Sequence, residues 1–211
     1  MKVQQGEKLI SFDVVALYPS VPQSEALDIL EEKMKEDTAL KEKTPIPADK
    51  IMKLFRTCLE KTYFVFNNQL YQQIDGLAIG ASSSVFMAEI FMQRLEKRAL
   101  ATFSDPPETW YRFVDDTFTR LKEETVSSFL DHLNAMHEKI NFTMEEEEAK
   151  SIPFLDTRIH VQEDGTITTT VYRKKTHTNQ YLNFNSNHHI RQKLGIISTL
   201  KEKNGDNSAR R

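Results

Sequence analysis

A single carboxylate interrupts an otherwise uncharged, mainly apolar run. Leu9-Ile10-Ser11-Phe12-Asp13-Val14-Val15 reads as a buried strand, broken by Tyr18-Pro19-Ser20-Val21-Pro22, and Asp13 is its only charge. Burying a lone carboxylate is expensive, so an Asp so placed belongs at a strand end, facing a cation or hydrogen-bond donors. A second acidic feature, Asp115-Asp116, falls at the tip of a predicted hairpin flanked by Tyr111, Phe113 and Phe118. Two hairpin-type elements can set Asp13 and Asp115 side by side despite their separation in sequence. Clustered carboxylates suit Mg²⁺, which takes one or two carboxylates together with substrate phosphates. Two such ions, about 3.5–4 Å apart, serve in-line phosphoryl transfer. Taken alone, Asp115-Asp116 also reads as a plain polar turn.

Composition narrows the class. The 211 residues, 39% hydrophobic and 28% charged, are enough for one domain, or one with a small appendage, and exclude disordered and collagen-like chains. No window approaches the 18 uninterrupted apolar residues of a membrane span, and the first residues lack the apolar stretch of a signal peptide. The lone cysteine, Cys58, excludes an internal disulfide framework and cysteine-based zinc modules, so a nuclear or cytoplasmic location is expected. Charge is unevenly spread. From Val171 onward nine basic residues meet two acidic ones, a net +7, which leaves −10 on residues 1–170 of a chain whose total is −3. A basic arm beside an acidic body suits contact with a polyanion; a solvated basic tail is the other reading.

Helices and mostly antiparallel strands alternate without Rossmann-like periodicity, so the expected class is α+β. Ser20 or Ser24 is positioned to cap a helix carrying Ala26, Leu27, Leu30 and Met34, with a solvated, charged distal end. After the Thr44-Pro45-Ile46-Pro47 linker, Ile51, Leu54, Phe55, Cys58 and Leu59 mark an amphipathic helix with Cys58 on its apolar stripe, an inert buried thiol. Hairpins are expected around Asn67-Asn68, around Val114-Asp115, and around Glu163-Asp164-Gly165. A Gly/Ser loop, Asp75 to Ser84, leads into a helix with Val85, Ala88, Met92, Leu95 and Ala99 at core spacing. Val126, Phe129, Leu130, Leu133, Met136 and Ile140 predict another helix, and His188 to Leu200 a terminal one. Histidines 177, 188 and 189 lack zinc-ligand spacing and read as polar contacts.

Three motifs in order carry a family resemblance. Phe12-Asp13-Val14-Val15-Ala16-Leu17-Tyr18 resembles polymerase motif A of reverse transcriptases, Gly76-Leu77-Ala78-Ile79-Gly80 their motif B, and Phe113-Val114-Asp115-Asp116 their motif C, with Phe in place of Tyr. With Ile152-Pro153-Phe154-Leu155-Asp156 and the stretch from Val171 to His188, the set resembles the reverse transcriptases of Penelope-like retroelements, relatives of telomerase, over residues 9 to about 200. The resemblance implies a polymerase palm over 1–162. A hairpin, a basic and aromatic segment and a terminal helix over 163–200 would begin the thumb, and 201–211 would be a disordered tail. It implies an RNA-directed DNA polymerase domain working on an RNA template, a DNA primer and deoxynucleoside triphosphates, incomplete and inactive on its own. Asp13 and Asp115, assisted by Asp116, would hold two Mg²⁺ ions, with Mn²⁺ the alternative. Tyr18 would exclude a 2′-hydroxyl, or else simply pack in a turn. Gly76 and Gly80 would let backbone approach template and nucleotide, and Phe113 would line the substrate side. Lys150 would protonate the pyrophosphate leaving group, unless it is a solvated lysine ending an acidic run. Ile152 to Val161 would form the primer-grip hairpin. Arg173, Lys174 and Lys175, with Tyr181 and Phe184, combine cations and rings suited to a nucleic-acid backbone and its bases.

The pattern departs from the family in two ways. Gly80-Ala81-Ser82 stands where Gly-Ser-Pro is usual, and the upstream fingers motifs that grip the triphosphate are not present, as expected of a fragment or a decayed copy. Nothing after Leu200 resembles the family's further thumb or its GIY-YIG endonuclease domain. A non-catalytic nucleic-acid-binding remnant and another palm-type enzyme, such as a nucleotidyl cyclase, are the competing expectations.

Overall fold

The computed structural model describes residues 2–176, 178 and 180–205. The chain divides into two compact units, Met1–Tyr172 and Arg173–Arg211. His177 and residues 206–211, including Arg210, Arg211 and most of the expected tail, lie outside the described residues.

The first unit is α+β, with antiparallel sheets packed on helices. Its centre is β1 (Glu7–Val14), which pairs on one edge with β5 (Asp116–Lys122) and on the other with β6 (Phe142–Glu146); β4 (Trp110–Phe113) completes a four-stranded sheet in the order β4-β5-β1-β6. Alternation along β1 sends Ile10, Phe12 and Val14 to the face covered by helices. There α5 (Ser82–Thr102) supplies Met87, Phe91, Met92 and Leu95, and α6 (Val126–Ala135) supplies Phe129 and Leu133. Phe129 is fully buried and meets Phe12, Phe103 and Trp110 at ring-centroid distances of 5.8, 4.9 and 5.8 Å. Outside α5 lies α2 (Gln23–Glu36), which also touches α4 (Ala48–Glu60). A short turn, α1 (Leu17–Ser20), links β1 to α2, and another, α3 (Leu40–Lys43), precedes α4.

The opposite face of β1 is partly covered by a second, three-stranded antiparallel sheet of β7 (Ser151–Phe154), β8 (Thr157–Val161) and β9 (Ile167–Val171). Leu9 and Phe118 pack there on Ile152 and Ile159. The expected hairpin from Ile152 to Val161 is thus β7–β8, and the Gly165 turn joins β8 to β9. A two-stranded hairpin, β2 (Tyr63–Phe66) and β3 (Gln69–Gln72), turns through Asn67 and Asn68, both left-handed at φ 49° and 59°. Two Asn in that conformation suit a tight hairpin turn. In the second unit, α7 (Ile190–Gly205) forms the expected terminal helix. Among the described residues no helix is long and apolar enough to cross a membrane.

Several expectations need correction. Neither Ser20 nor Ser24 caps α2: Pro22 stands at the N-cap and no side chain bonds there. Helix α6 ends at Ala135, and the buried Ile140 enters the core from the following loop. Val85 is exposed although its neighbour Ser84 is buried, so the core side of the first turn of α5 is one residue off the expected stripe. Cys58 is exposed too, and of the α4 stripe only Leu59 is buried. Periodicity identified the stripe, but no element covers its Leu54–Cys58 side.

Two outcomes follow for this fold. The Cys58 thiol is expected to react stoichiometrically with a thiol-specific reagent in native buffer, without the lag of a group that must await unfolding; protection until denaturant is added would contradict its placement. Gly76 has φ +72°, and a Cβ there would lie 2.4 Å from the Pro19 carbonyl oxygen. Gly76→Ala is therefore expected to destabilise the chain by at least ~1 kcal/mol, a fall of about 2–4 °C or more in Tm measured by calorimetry.

Candidate carboxylate site on the central sheet

Strand register sets Asp13 opposite Asp116, where the sequence predicts Asp115, and leaves Asp115 in the adjoining turn. In the β1–β5 ladder Asp13 is the direct partner of Asp116, and in β4–β5 Phe113 is the partner of Asp116. Residues directly opposite in antiparallel strands share a face, so Asp13, Phe113 and Asp116 do so, with Tyr111 and Phe118 next along it. Asp115 sits in the connecting turn, and its carbonyl accepts the Val14 amide at 3.2 Å, which ties the turn to the end of β1. On the other edge Asp13 faces Thr143, whose hydroxyl donates to the Asp13 carbonyl at 3.5 Å. Asp13 is exposed and Asp115 and Asp116 are half-buried. The second sheet covers this face at Leu9 and Phe118 but not at Asp13.

Asp13 and Asp116, facing each other across the ladder, are the residues that could hold a hard divalent cation. Among the described residues no group of three or more His, Cys, Asp or Glu side chains is placed to hold a metal. Mg²⁺ commonly takes one or two carboxylates and completes its shell with water and phosphate oxygens, so facing carboxylates at an open rim match that habit.

The turn itself is held under tension. Val114 has φ 60°, a conformation that a β-branched residue avoids, at a cost on the order of 1–3 kcal/mol. A positive φ at only the first of two loop residues is the pattern of a II′ hairpin turn, whose first position is normally Gly. Beneath it lies a polar network that strand-and-helix patterning did not reveal. Arg112, with its side chain 7% exposed, donates from Nη1 to the Val114 carbonyl at 3.0 Å and to Glu89 Oε2 at 2.7 Å, and from Nε to Glu96 Oε1 at 2.7 Å. Trp110 Nε1 donates to the same Glu96 oxygen at 2.9 Å. Burial pushes the Glu96 carboxyl above its ordinary value, against the pull of Arg112 and Trp110. The Arg112 hydrogen bond holds the half-exposed Glu89 below its own. Desolvation works against the Arg112 charge, and the two carboxylates outweigh it. A signal was present: Glu96 lies on the same α5 stripe as Met92 and Ala99, and a Glu there needs a buried cation.

The remaining sequence candidates divide. The loop that begins at Asp75 folds onto the segment following β1. The Leu77 amide donates to the Tyr18 carbonyl at 2.7 Å, and Gln23 Nε2 donates to the Gly76 carbonyl at 2.7 Å. The Lys139 ammonium, 2.6 Å away, holds the Asp75 carboxyl below its usual range, with the Gly76 and Gln23 amides assisting. Tyr18 is half-buried against the core, whereas Gly80, φ +92°, has open space around its Cα. Lys150 is not brought to the carboxylates. The β6 register pairs Thr143 with Asp13 and Glu146 with Ile10, about 10 Å further along β1, and the Ala149-Lys150 turn follows beyond.

In the second unit Arg173, Lys174 and Lys175 are exposed, and the Arg173 guanidinium lies 3.5 Å from the Tyr181 hydroxyl. The Lys193 ammonium sits 5.3 Å from the Phe184 ring centroid and donates to the Phe184 and Ser186 carbonyls at 2.6 Å each. His188 Nδ1 lies 3.0 Å from the Ser186 hydroxyl.

No family model matches the chain, and no curated protein matches it. Solved structures do. Apo telomerase from Candida tropicalis superimposes with a TM-score of 0.62 at 13% identity, over 80% of this chain and 33% of that one. The same apo enzyme truncated from its C-terminal domain gives 0.56 at 15% identity, over 79% and 35%. The telomerase in complex with the TWJ fragment of telomeric RNA gives 0.59 at 16% identity, over 84% and 32%. The chain spans about a third of the length of these telomerase chains, and at such identities the likeness is one of fold. Its fold resembles that of part of telomerase.

Proposed function

We propose that the chain is the palm portion of an RNA-directed DNA polymerase of the Penelope-like kind. The observation that carries this reading is the β1–β5 register, which sets Asp13 opposite Asp116 with Asp115 in the adjoining turn. The telomerase-like fold supports it. The palm would occupy about residues 1–162, and the hairpin, basic segment and terminal helix after it would begin a thumb. An RNA template, a DNA primer and deoxynucleoside triphosphates are the proposed partners, in a nuclear or cytoplasmic setting.

Bound Mg²⁺ would neutralise charge on the transferring phosphoryl group and lower the pKa of the attacking hydroxyl. Asp13 and Asp115, with Asp116 beside them, would hold the ions. The chain's other residues position. The exposed rings of Tyr111 and Phe113 border the carboxylates on the same face and offer apolar surface to a base or sugar. Tyr18 is held through its own carbonyl by the Leu77 amide, so its ring stands at a fixed height after the strand end. Arg173, Lys174 and Lys175 supply phosphate contacts, which makes nucleic-acid binding steeply salt-dependent.

Primer extension on an RNA template with Mg²⁺ or Mn²⁺, beside a titration of Mn²⁺ binding by water-proton relaxation, tests the assignment. Asp13→Asn and Asp115→Asn are each expected to weaken Mn²⁺ binding and, in any form active in extension, to abolish extension. The melting temperature without metal should stay level or rise, because neutralising one of several facing carboxylates relieves repulsion. Wild-type extension by either variant would sink the reading. Extension that needs the carboxylates but not an RNA template would favour another palm-type enzyme. Nucleic-acid binding with no Asp-dependent metal site would favour the non-catalytic remnant.

Tyr18→Val, in any form active in extension, is expected to admit ribonucleotides with little loss of deoxynucleotide use, since it removes a clash rather than an attraction. Unchanged sugar discrimination in competition assays would reduce Tyr18 to a packing residue.

A further inference from the structure

We infer that Arg112 is a positioning residue: its buried guanidinium clamps the strained Val114 turn and so fixes Asp115 and Asp116 against Asp13. The inference rests on the metal-site reading given above, but its geometry stands apart from it. One planar group reaches three acceptors on two elements, Glu96 and Glu89 on α5 and the Val114 carbonyl at the turn. Arg is suited to this because its donors form a rigid fork, and a Lys ammonium at the same place offers a single point of charge. The two glutamates are spaced along a 21-residue helix anchored between them by the buried Ile90, Phe91, Met92 and Leu95, so they form a fixed base. Val114 needs such a base. Its positive φ is unfavourable, and without a hold on its carbonyl the turn would relax. Relaxation would break the Val14 amide bond to the Asp115 carbonyl, which is the link between the turn and the end of β1. Arg112 itself points to the helix-covered side with Trp110, away from the carboxylate face, so it acts through the turn and touches no ligand.

The test is Arg112→Lys in the full chain, alone and combined with Val114→Gly. Two readouts are taken: Mn²⁺ affinity by water-proton relaxation, and hydrogen exchange of the Val14 amide in the metal-free protein, with mid-strand β1 amides as the internal standard. Arg112→Lys is expected to accelerate Val14 exchange at least ten-fold relative to that standard and to weaken Mn²⁺ binding by a similar factor. Gly accepts the left-handed conformation without strain. Adding Val114→Gly should therefore restore most of both, a recovery that a general loss of packing would not show.

Unchanged Val14 exchange in Arg112→Lys would overturn the clamp, as would a failure of Val114→Gly to restore it. If the wild type shows no Asp13-dependent Mn²⁺ binding while the exchange pattern holds, the metal reading fails and the clamp stands. Should Arg112→Lys fail to fold, Glu89→Gln carries the same test, because that side chain is 44% exposed and anchors only one arm of the fork. It should move the same two readouts in the same direction by a smaller factor, and no movement would overturn the clamp.

Discussion

Strand β1 is committed on four sides, and the carboxylate site exists because of it. Its two edges are hydrogen-bonded to β5 and β6, one face carries Ile10, Phe12 and Val14 into the helical core, and the other carries Leu9 into the second sheet. A slip of one residue would exchange the faces, sending Asp13 against Phe129 and Phe12 toward water, so register is set with little tolerance. The apolar alternation of β1, with Ile10, Phe12 and Val14 on one face and Leu9 on the other, is enough to make that choice. Core packing thus sets Asp13 and Asp116 opposite one another.

Around this rigid strand the connecting turns carry the conformational tension. Ala16, at the exit from β1, and Val114, before Asp115, are both left-handed without being glycine. Natural sequences violate local preference chiefly where position matters more than stability. The loop after β3 adds a close backbone approach, since only a residue without a Cβ fits at Gly76 against Pro19. Strand end, hairpin turn and glycine loop therefore meet as backbone, held by the Val14–Asp115, Leu77–Tyr18 and Gln23–Gly76 hydrogen bonds.

Most of this organisation was legible in the sequence, for identifiable reasons. The lone Asp13 marked a strand end, Asn67-Asn68 and Gly165 marked turns, and the α5 and α6 stripes marked core helices. What escaped was information that periodicity does not encode. The α4 stripe predicts an apolar face but not whether anything covers it, and Leu54 is in fact 58% exposed. The spacing through Met136 and Ile140 continued a helical pattern past Ala135 because a loop residue can fill a core position as well as a helical one. The distance of Lys150 from Asp13 depended on the β6 register, which a run of four glutamates does little to specify. Arg112 passed as one polar residue in an alternating strand. Its partners are 16 and 23 residues away, on a helix whose Glu96 was the only local sign.

The contrast between Glu96 and Asp13 shows how the fold distributes the expense of burying charge. Glu96 is removed from water and compensated on the spot by Arg112 and Trp110. Asp13 stays exposed on a face it shares with Asp116 and with the Tyr111 and Phe113 rings, each 61% accessible. A ligand that lies on those rings would also displace water from the carboxylates, and lowering the local dielectric strengthens every charge interaction there. A ligand that brings cations with it meets the full attraction only once it has covered the rings, so apolar contact and charge compensation reinforce each other.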